Sequence, residues 1–306
     1  MKKLLSLWIT VVIILFQVQV SEACTGITLT TKDNSMILAR TIEWGGSDLN
    51  SQYVVVPRGY EQYSYIPGGE RSGMKFTARY GYIGLSVEQK EFVAEGLNEA
   101  GLSAGLFYFP GYGRYEDYDP KLKNSSIADL QLVSWILGNF STVDEVMKAI
   151  KKIHIVPIDP RASTVHWRMA DITGKQIVLD IIDGQPNYIN LYSGTNNTRT
   201  LGNIKLSSFG AGSGFLGIPG DITPPSRFIR AAFYQTSSPQ KETAIEAVIQ
   251  SFHILNNFDI PIGIEFSESE TPTDIPSATQ WTSSTDLTHR VIYYRTMYNS
   301  DIRCID

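Results

Sequence analysis

Cysteine is scarce: among 306 residues only Cys24 and Cys304 carry a thiol, so the chain can form one disulfide at most. Histidine is nearly as rare. His154, His166, His253 and His289 show none of the spacings that ligate a metal, which leaves them as packed or surface residues and gives no metal site. An excess of positive charge is missing too. With 26 basic against 31 acidic residues and a net charge of −5, the chain offers no support for a nucleic-acid partner. "GAGSG", 210–214, lacks both the phosphate-loop and the nucleophile-elbow pattern and reads as a flexible loop; no cofactor is implied. Internal repeats and linkers are not evident, and the Ser/Thr/Pro-rich "SESETPTDIPS", 267–277, reads as a surface loop. After Phe16 no apolar run is long enough to span a bilayer.

What is present is a chain that is 42% hydrophobic and 19% charged, enough for a large core. Its first residues differ from the rest. Lys2 and Lys3 precede an apolar run from Leu4 to Phe16, and Ser21-Glu22-Ala23 closes the stretch. This is the pattern of a secretory signal peptide over residues 1–23, followed by one domain over 24–306. The expected protein is exported, periplasmic or extracellular, without a membrane anchor.

Cys24 then stands where a leader ends, and three readings are open. It can pair with Cys304, as cysteines of exported proteins do. It can carry a lipid, although Ser21 stands where lipoprotein leaders generally have an aliphatic residue. Or it can become the first residue of the mature chain, with a thiol and a free α-amine on one residue. An α-amine ordinarily titrates at about 7.7–8, so it can serve as the base for its own nucleophile.

Alternating stretches at "GITLTT", "SMILAR", "QYVVVPR", "STVHWRMAD" and "QIVLDIID" read as strands, the last two joined by "ITGK" as a hairpin. Helical periodicity covers Ile127 to Leu137, Val143 to Ile153 and Thr243 to Leu255, and a final hairpin runs from Ser277 to Thr296. The order predicts an α+β fold with two antiparallel sheets between helical layers.

"CTGITLT", "SMILARTIEW", "EGLNEAGLSAGLFYFPG", "GIPGDITPPSRFIRAAF" and "SATQWTSSTDLTHRVIYYRT" occur in this order, and together they resemble the choloylglycine hydrolase family of bile salt hydrolases and penicillin V acylases. The resemblance implies an N-terminal-nucleophile amidase with a four-layer αββα sandwich, no cofactor and a homotetrameric assembly. Carried over residue by residue, it makes Cys24 the nucleophile and Arg40 the guanidinium beside it, where a fixed positive charge favours thiolate. In "RTIE" Glu43 replaces the family's aspartate and can accept a hydrogen bond from the α-ammonium. Arg227 in "PPSRFIR" becomes the second active-site arginine, with Arg230 three residues on as the alternative. "GLFYFPGYGRYEDY" corresponds to a loop lining the substrate pocket. There a backbone N–H near Phe107 or Tyr108 is the first oxyanion donor, though a hydrophobic core strand reads equally well.

One piece of the pattern is missing. The family takes a second oxyanion donor from an asparagine in a T-N-x-P turn, and here the segment between Gly184 and Tyr188 is too short to hold it. Asn196, in "GTNNTRT", is the remaining candidate. The expected activity is hydrolysis of glycine- or taurine-conjugated bile salts through a Cys24 thioester, weakened by the shortened segment, with lost ladder pairing inside a sheet. Penicillin V acylase activity is the alternative, and an inactive secreted binding protein closed by a Cys24–Cys304 disulfide is the alternative of another kind.

Overall fold

The computed structural model describes residues 24–44, 48–108, 113–158, 164–191, 217–264 and 278–306. The first two alternating stretches form β1 (Gly26–Thr30) and β2 (Met36–Trp44), folded onto each other by a turn in which the Thr31 N–H donates to Ser35 O. β3 (Gln52–Val56), the small hairpin β4 (Glu61–Tyr63) and β5 (Lys75–Thr77), then β6 (Tyr82–Val87), β7 (Gln89–Asn98) and β8 (Ser103–Tyr108) follow. After a short bridge of β9 (Ser126–Ala128) with β10 (His154–Val156), the chain returns as β11 (Val165–Ala170), β12 (Gln176–Ile182) and β13 (Gln185–Asn190). The last strands are β14 (Ala278–Asp286), β15 (Val291–Thr296) and β16 (Asn299–Ile305).

These strands make two large antiparallel sheets. One has the order β1-β2-β14-β15-β16 and the other β13-β12-β11-β8-β7-β6-β3. Helices cover their outer faces. α1 (Leu132–Asn139) and α2 (Val143–Ala149) belong to the central helical group, α1 lying on β7 and β8, while α3 (Pro224–Ser237) and α4 (Ala244–Leu255) lie on β1, β2 and β14. The result is the αββα sandwich. β14 is buried at all nine positions and β2 at its first eight, because each has a helix on one face and the opposite sheet on the other. Ile27 and Ala39 pack toward Ala231, Leu255 and Phe258 of the helical layer, whereas Leu38 and Ile42 face the inter-sheet core. Burying a side chain of that size contributes roughly 1.5–3 kcal/mol, so this two-sided coverage fixes the register of β2.

Helix starts follow their local signals. Thr243 with Glu246, and Thr142 with Glu145, form capping boxes, and Pro224-Pro225 opens α3. Two expected helices are shorter than their periodicity: Ser126–Ala128 are taken by β9, and Ile150–Lys152 tighten into a 3-10 turn.

The expectation of lost ladder pairing at the shortened segment is corrected. β12 and β13 pair without interruption from Ile182 with Gln185 to Ile177 with Asn190, around a two-residue Asp183-Gly184 turn. Both turn residues have positive φ, 49° and 73°, which suits a tight hairpin with the right-handed twist of its strands. Among the described residues β13 is the outermost strand of its sheet, where Pro186 is tolerated and where the described ladder has one side only.

Candidate active site

Cys24 sits immediately before β1, half-buried and packed against the inter-sheet core. The β1–β2 ladder continues past Gly26 and Arg40: the Thr41 N–H donates to Thr25 O at 2.9 Å, and the Thr25 N–H donates to Thr41 Oγ1 at 3.3 Å. One rung further, Cys24 stands opposite Ile42. Side chains alternate across a strand, so Cys24, Gly26, Arg40 and Ile42 face the other sheet, while Thr25, Thr41 and Glu43 face the helices. The expected site residues therefore gather at one end of β1 and β2 but on two faces.

On the inner face Arg40 is buried and reaches the opposite sheet. Its Nη1 donates to Leu106 O at 2.5 Å and to Ala94 O at 3.1 Å, and its Nε to Thr41 O at 3.3 Å. The β7–β8 ladder ends with Glu95 opposite Gly105, and the guanidinium takes up carbonyls on both sides of that end. Its Cζ lies 4.0 Å from the centroid of the Phe107 ring and 5.4 Å from that of Trp281, and Glu95 Oε2 is 3.7 Å from Nη1. Among the described residues, buried Nη2 has no hydrogen-bond partner.

On the outer face Glu43 is buried with both oxygens engaged. Oε2 accepts from Arg227 Nη1 and Oε1 from Thr279 Oγ1, each at 3.2 Å. Burial pushes its carboxyl up to about 7, against the pull of Arg227, Thr41, Arg40 and Thr279. Arg227, in the first turn of α3, is the arginine that reaches Glu43. Arg230 instead donates to Pro219 O and Asp221 O, holding the approach to the helix.

Phe107 is a core residue whose ring supports Arg40, so the core-strand reading holds for its side chain. Tyr108 meets Trp44 edge-to-face across the two sheets, at 5.9 Å between ring centroids. Phe109 to Tyr112, residues 1–23, the "GAGSG" loop and Asn196 lie outside the described residues. The disulfide alternative is corrected: both cysteines are free. Cys304 lies on β16, the far edge of the five-stranded sheet from β1, about 19 Å away at ~4.8 Å per strand, against the ~6 Å that a bridge spans.

His154, His166 and His289 pair with Glu116, Asp180 and Asp286, and no group of three or more His, Cys, Asp or Glu among the described residues could hold a metal. Sequence reasoning missed Glu95, Arg168, Thr41 and Thr279. A signal existed for Arg168 and Glu95: each carries a charge within a mainly apolar run of its strand, "VHWRMA" and "FVAEGLN".

A cysteine at the head of a sheet, with a buried arginine on the same face of the neighbouring strand, inside an αββα sandwich, is the arrangement of an N-terminal-nucleophile hydrolase fold. The choloylglycine hydrolase family of linear amide C–N hydrolases matches residues 24–185 and 185–306, and the chain belongs to that family. It is 31% identical over 313 residues to the bile salt hydrolase/transferase of Clostridium perfringens, with 92% of each chain covered. A variant of the conjugated bile acid hydrolase from Clostridium perfringens has a TM-score of 0.72 at 30% identity, covering 93% of this chain and 92% of its own. In that variant a cysteine is replaced, and in a second solved variant an arginine sixteen positions later, the same separation as between Cys24 and Arg40. Penicillin V acylase from Agrobacterium tumefaciens shares the fold, with a TM-score of 0.72 at 24% identity over 93% of this chain and 86% of its own.

Proposed function

We propose that this linear-amide hydrolase acts on the bond joining glycine or taurine to a bile acid, with Cys24 as its nucleophile once residues 1–23 have been removed on export to the periplasm or beyond. What supports the reading is the seating of Cys24 on the same face as a buried guanidinium whose Nη2 has no partner among the described residues. The thiol attacks the amide carbonyl, the α-amine passes the thiol proton to the departing amine, and the C–N bond breaks to leave a thioester. Water then attacks the thioester, returning the thiol and releasing the bile acid. Glu43, held by Arg227, lies beside Thr41, which binds the Thr25 N–H, and so borders the α-amine from the outer face.

The N–H of Phe107 or Tyr108 supplies one oxyanion donor. The second is lost in this reading, which the division of the family match at residue 185, inside the stretch that closes as the β12–β13 hairpin, supports; Asn196 is the remaining candidate. Losing one donor lowers turnover by about 10²–10³. The assembly is a homotetramer without a lipid anchor.

The test is hydrolysis of glycocholate, taurocholate and penicillin V by the chain beginning at Cys24, beside Cys24→Ala and Asn196→Ala. Weak bile-salt turnover that vanishes in Cys24→Ala and ignores Asn196→Ala upholds the proposal. Turnover of penicillin V alone replaces the substrate class with that of the acylases, and loss in Asn196→Ala restores the second donor. No turnover of any of the three favours an inactive binding protein.

A further inference from the structure

Behind Arg40 lies a row of buried charges that the hydrolase reading does not use. Glu95 on β7 has Arg40 Nη1 at 3.7 Å and accepts from Ser103 Oγ at 3.4 Å. Arg168 on β11 approaches the same carboxylate from the seven-stranded sheet and acts on it electrostatically. Arg168 Nη2 donates across the sandwich to Ile27 O at 2.9 Å, and also to Thr28 Oγ1 and to Gln176 Oε1. The two arginines are thus reciprocal: Arg40 of one sheet binds carbonyls of the other, and Arg168 does the reverse.

Two glycines make room for this row. A Cβ at Gly105 would collide with Glu95 Oε2 and stand 3.0 Å from its Cδ, and one at Gly26 would stand 3.0 Å from Arg168 Nη1. Neither glycine has a positive φ, so space and not backbone freedom explains both. Gly26 is two residues from Cys24 on the same face, about 7 Å along the strand, so Arg168 lies close enough for its charge to be felt at the thiol.

We propose that Glu95 and Arg168 are positioning residues of the nucleophile: Glu95 holds Arg40 behind Cys24, and Glu95 and Arg168 together set how much uncompensated positive charge the thiol meets. Two guanidiniums against one carboxylate leave one positive charge on the inner face, which a Cys24 thiolate neutralises. Besides the α-amine of Cys24 itself, the other charged or titratable groups on these two faces among the described residues are His166 of β11 with Asp180 of β12 on the inner face, and Glu43 with Arg227 on the outer face. Each of the two side-chain pairs joins a base or cation to a carboxylate. The inference rests on Cys24 being the nucleophile.

The experiment follows the pH dependence of Cys24 alkylation by iodoacetamide in the chain beginning at Cys24, in a Cys304→Ser background that removes the exposed second thiol. Arg168→Met, which leaves Glu95 to neutralise Arg40, raises the midpoint by about one pH unit. Glu95→Gln, which removes the carboxylate, lowers it by about the same amount. Arg168→Lys restores most of the Arg168→Met shift. A role confined to packing moves both midpoints the same way or neither, and either result overturns the proposal. Near-UV circular dichroism checks folding; should Arg168→Met not fold, Glu95→Gln decides alone, a downward shift supporting the proposal and no shift or an upward one refuting it. Failure of the nucleophile assignment looks different: hydrolysis that survives Cys24→Ala.

Discussion

The buried Glu43–Arg227 pair makes stability depend on pH in a way that one substitution should redirect. The Glu43 carboxyl titrates at about 7 in the fold against 4.5 as the ordinary value, so between these limits the folded protein keeps a proton that the unfolded chain has released. The contribution of this group to stability is therefore greatest below pH 4.5 and falls as pH rises, by about 3 kcal/mol in total, with no further loss from it above pH 7. Arg227 Nη1 stands 3.2 Å from the carboxylate, and at about 4 Å between charge centres with an effective dielectric of 20 the attraction is about 4 kcal/mol. Replacing Arg227 by Met removes it and carries the end of the decline some three pH units higher. From pH 7 to pH 9 the variant should then lose about 1.4 kcal/mol per pH unit relative to the original chain, or about 2.7 kcal/mol over the interval. Urea unfolding at half-unit steps of pH measures this, with Glu43→Gln as the control in which the Glu43 contribution disappears. Parallel curves for the original chain and Arg227→Met across that interval would refute the reasoning.

Cys24→Ala should abolish amide hydrolysis and Cys304→Ser should leave it intact, and because the two thiols are unbridged neither change should lower the melting temperature by the 2–5 kcal/mol equivalent of a lost disulfide. Arg40→Met takes the guanidinium from three backbone carbonyls and leaves Glu95 with Arg168 and Ser103 alone, so it should cost about 3–5 kcal/mol in unfolding experiments and, in whatever fraction folds, slow Cys24 alkylation at neutral pH; unchanged alkylation would place Arg40 away from the thiol. Gly184→Val places a branched side chain at φ 73°, with its Cβ 2.7 Å from Glu116 Cγ, and should destabilise by about 1–2 kcal/mol in a thermal melt, whereas equal stability would show that the β12–β13 turn is not formed.

Much of the fold is written in short-range pattern. "ITGK" between two alternating runs becomes the β11–β12 hairpin, Thr243 caps α4, and the run expected from Ser277 to Thr296 becomes β14 and β15. The misses share one cause. Ile127 and Ala128 fit the apolar periodicity of α1, but they pair in parallel with Ile155 and Val156, nearly thirty residues away, and that partner overrides the local preference. The same bridge shortens α2, since the chain leaves the helix at Ala149 and turns through Ile150–Lys152 to deliver His154 to β10. At the other miss, the loss of pairing expected from the shortened segment assumed an interior strand. An edge strand can be rebuilt from whatever sequence follows the turn, and Asp183-Gly184 supplies a turn that does so.

The site divides along a similar line. Cys24, Arg40 and Arg227 are legible because each stands at a fixed place in a local motif, whereas Glu95 and Arg168 acquire meaning only when two sheets close over them. A charge inside an apolar strand reads locally as an exposed edge position, since an isolated buried charge is too costly to expect. The opposite sheet removes that cost by bringing Arg40 against Glu95, beside Arg168 of the same sheet as Glu95, and the glycines that permit the approach, Gly26 and Gly105, lie on strands of different sheets. Gly105 is the direct cross-strand partner of both Glu95 and Arg168, so a bulkier residue there would press on the carboxylate from within its own sheet. The inner face is consequently built around a charge imbalance and the outer face around a neutral pair, Glu43 with Arg227. A thiol placed at the edge between them meets net positive charge from one side only, which is the side its own side chain faces.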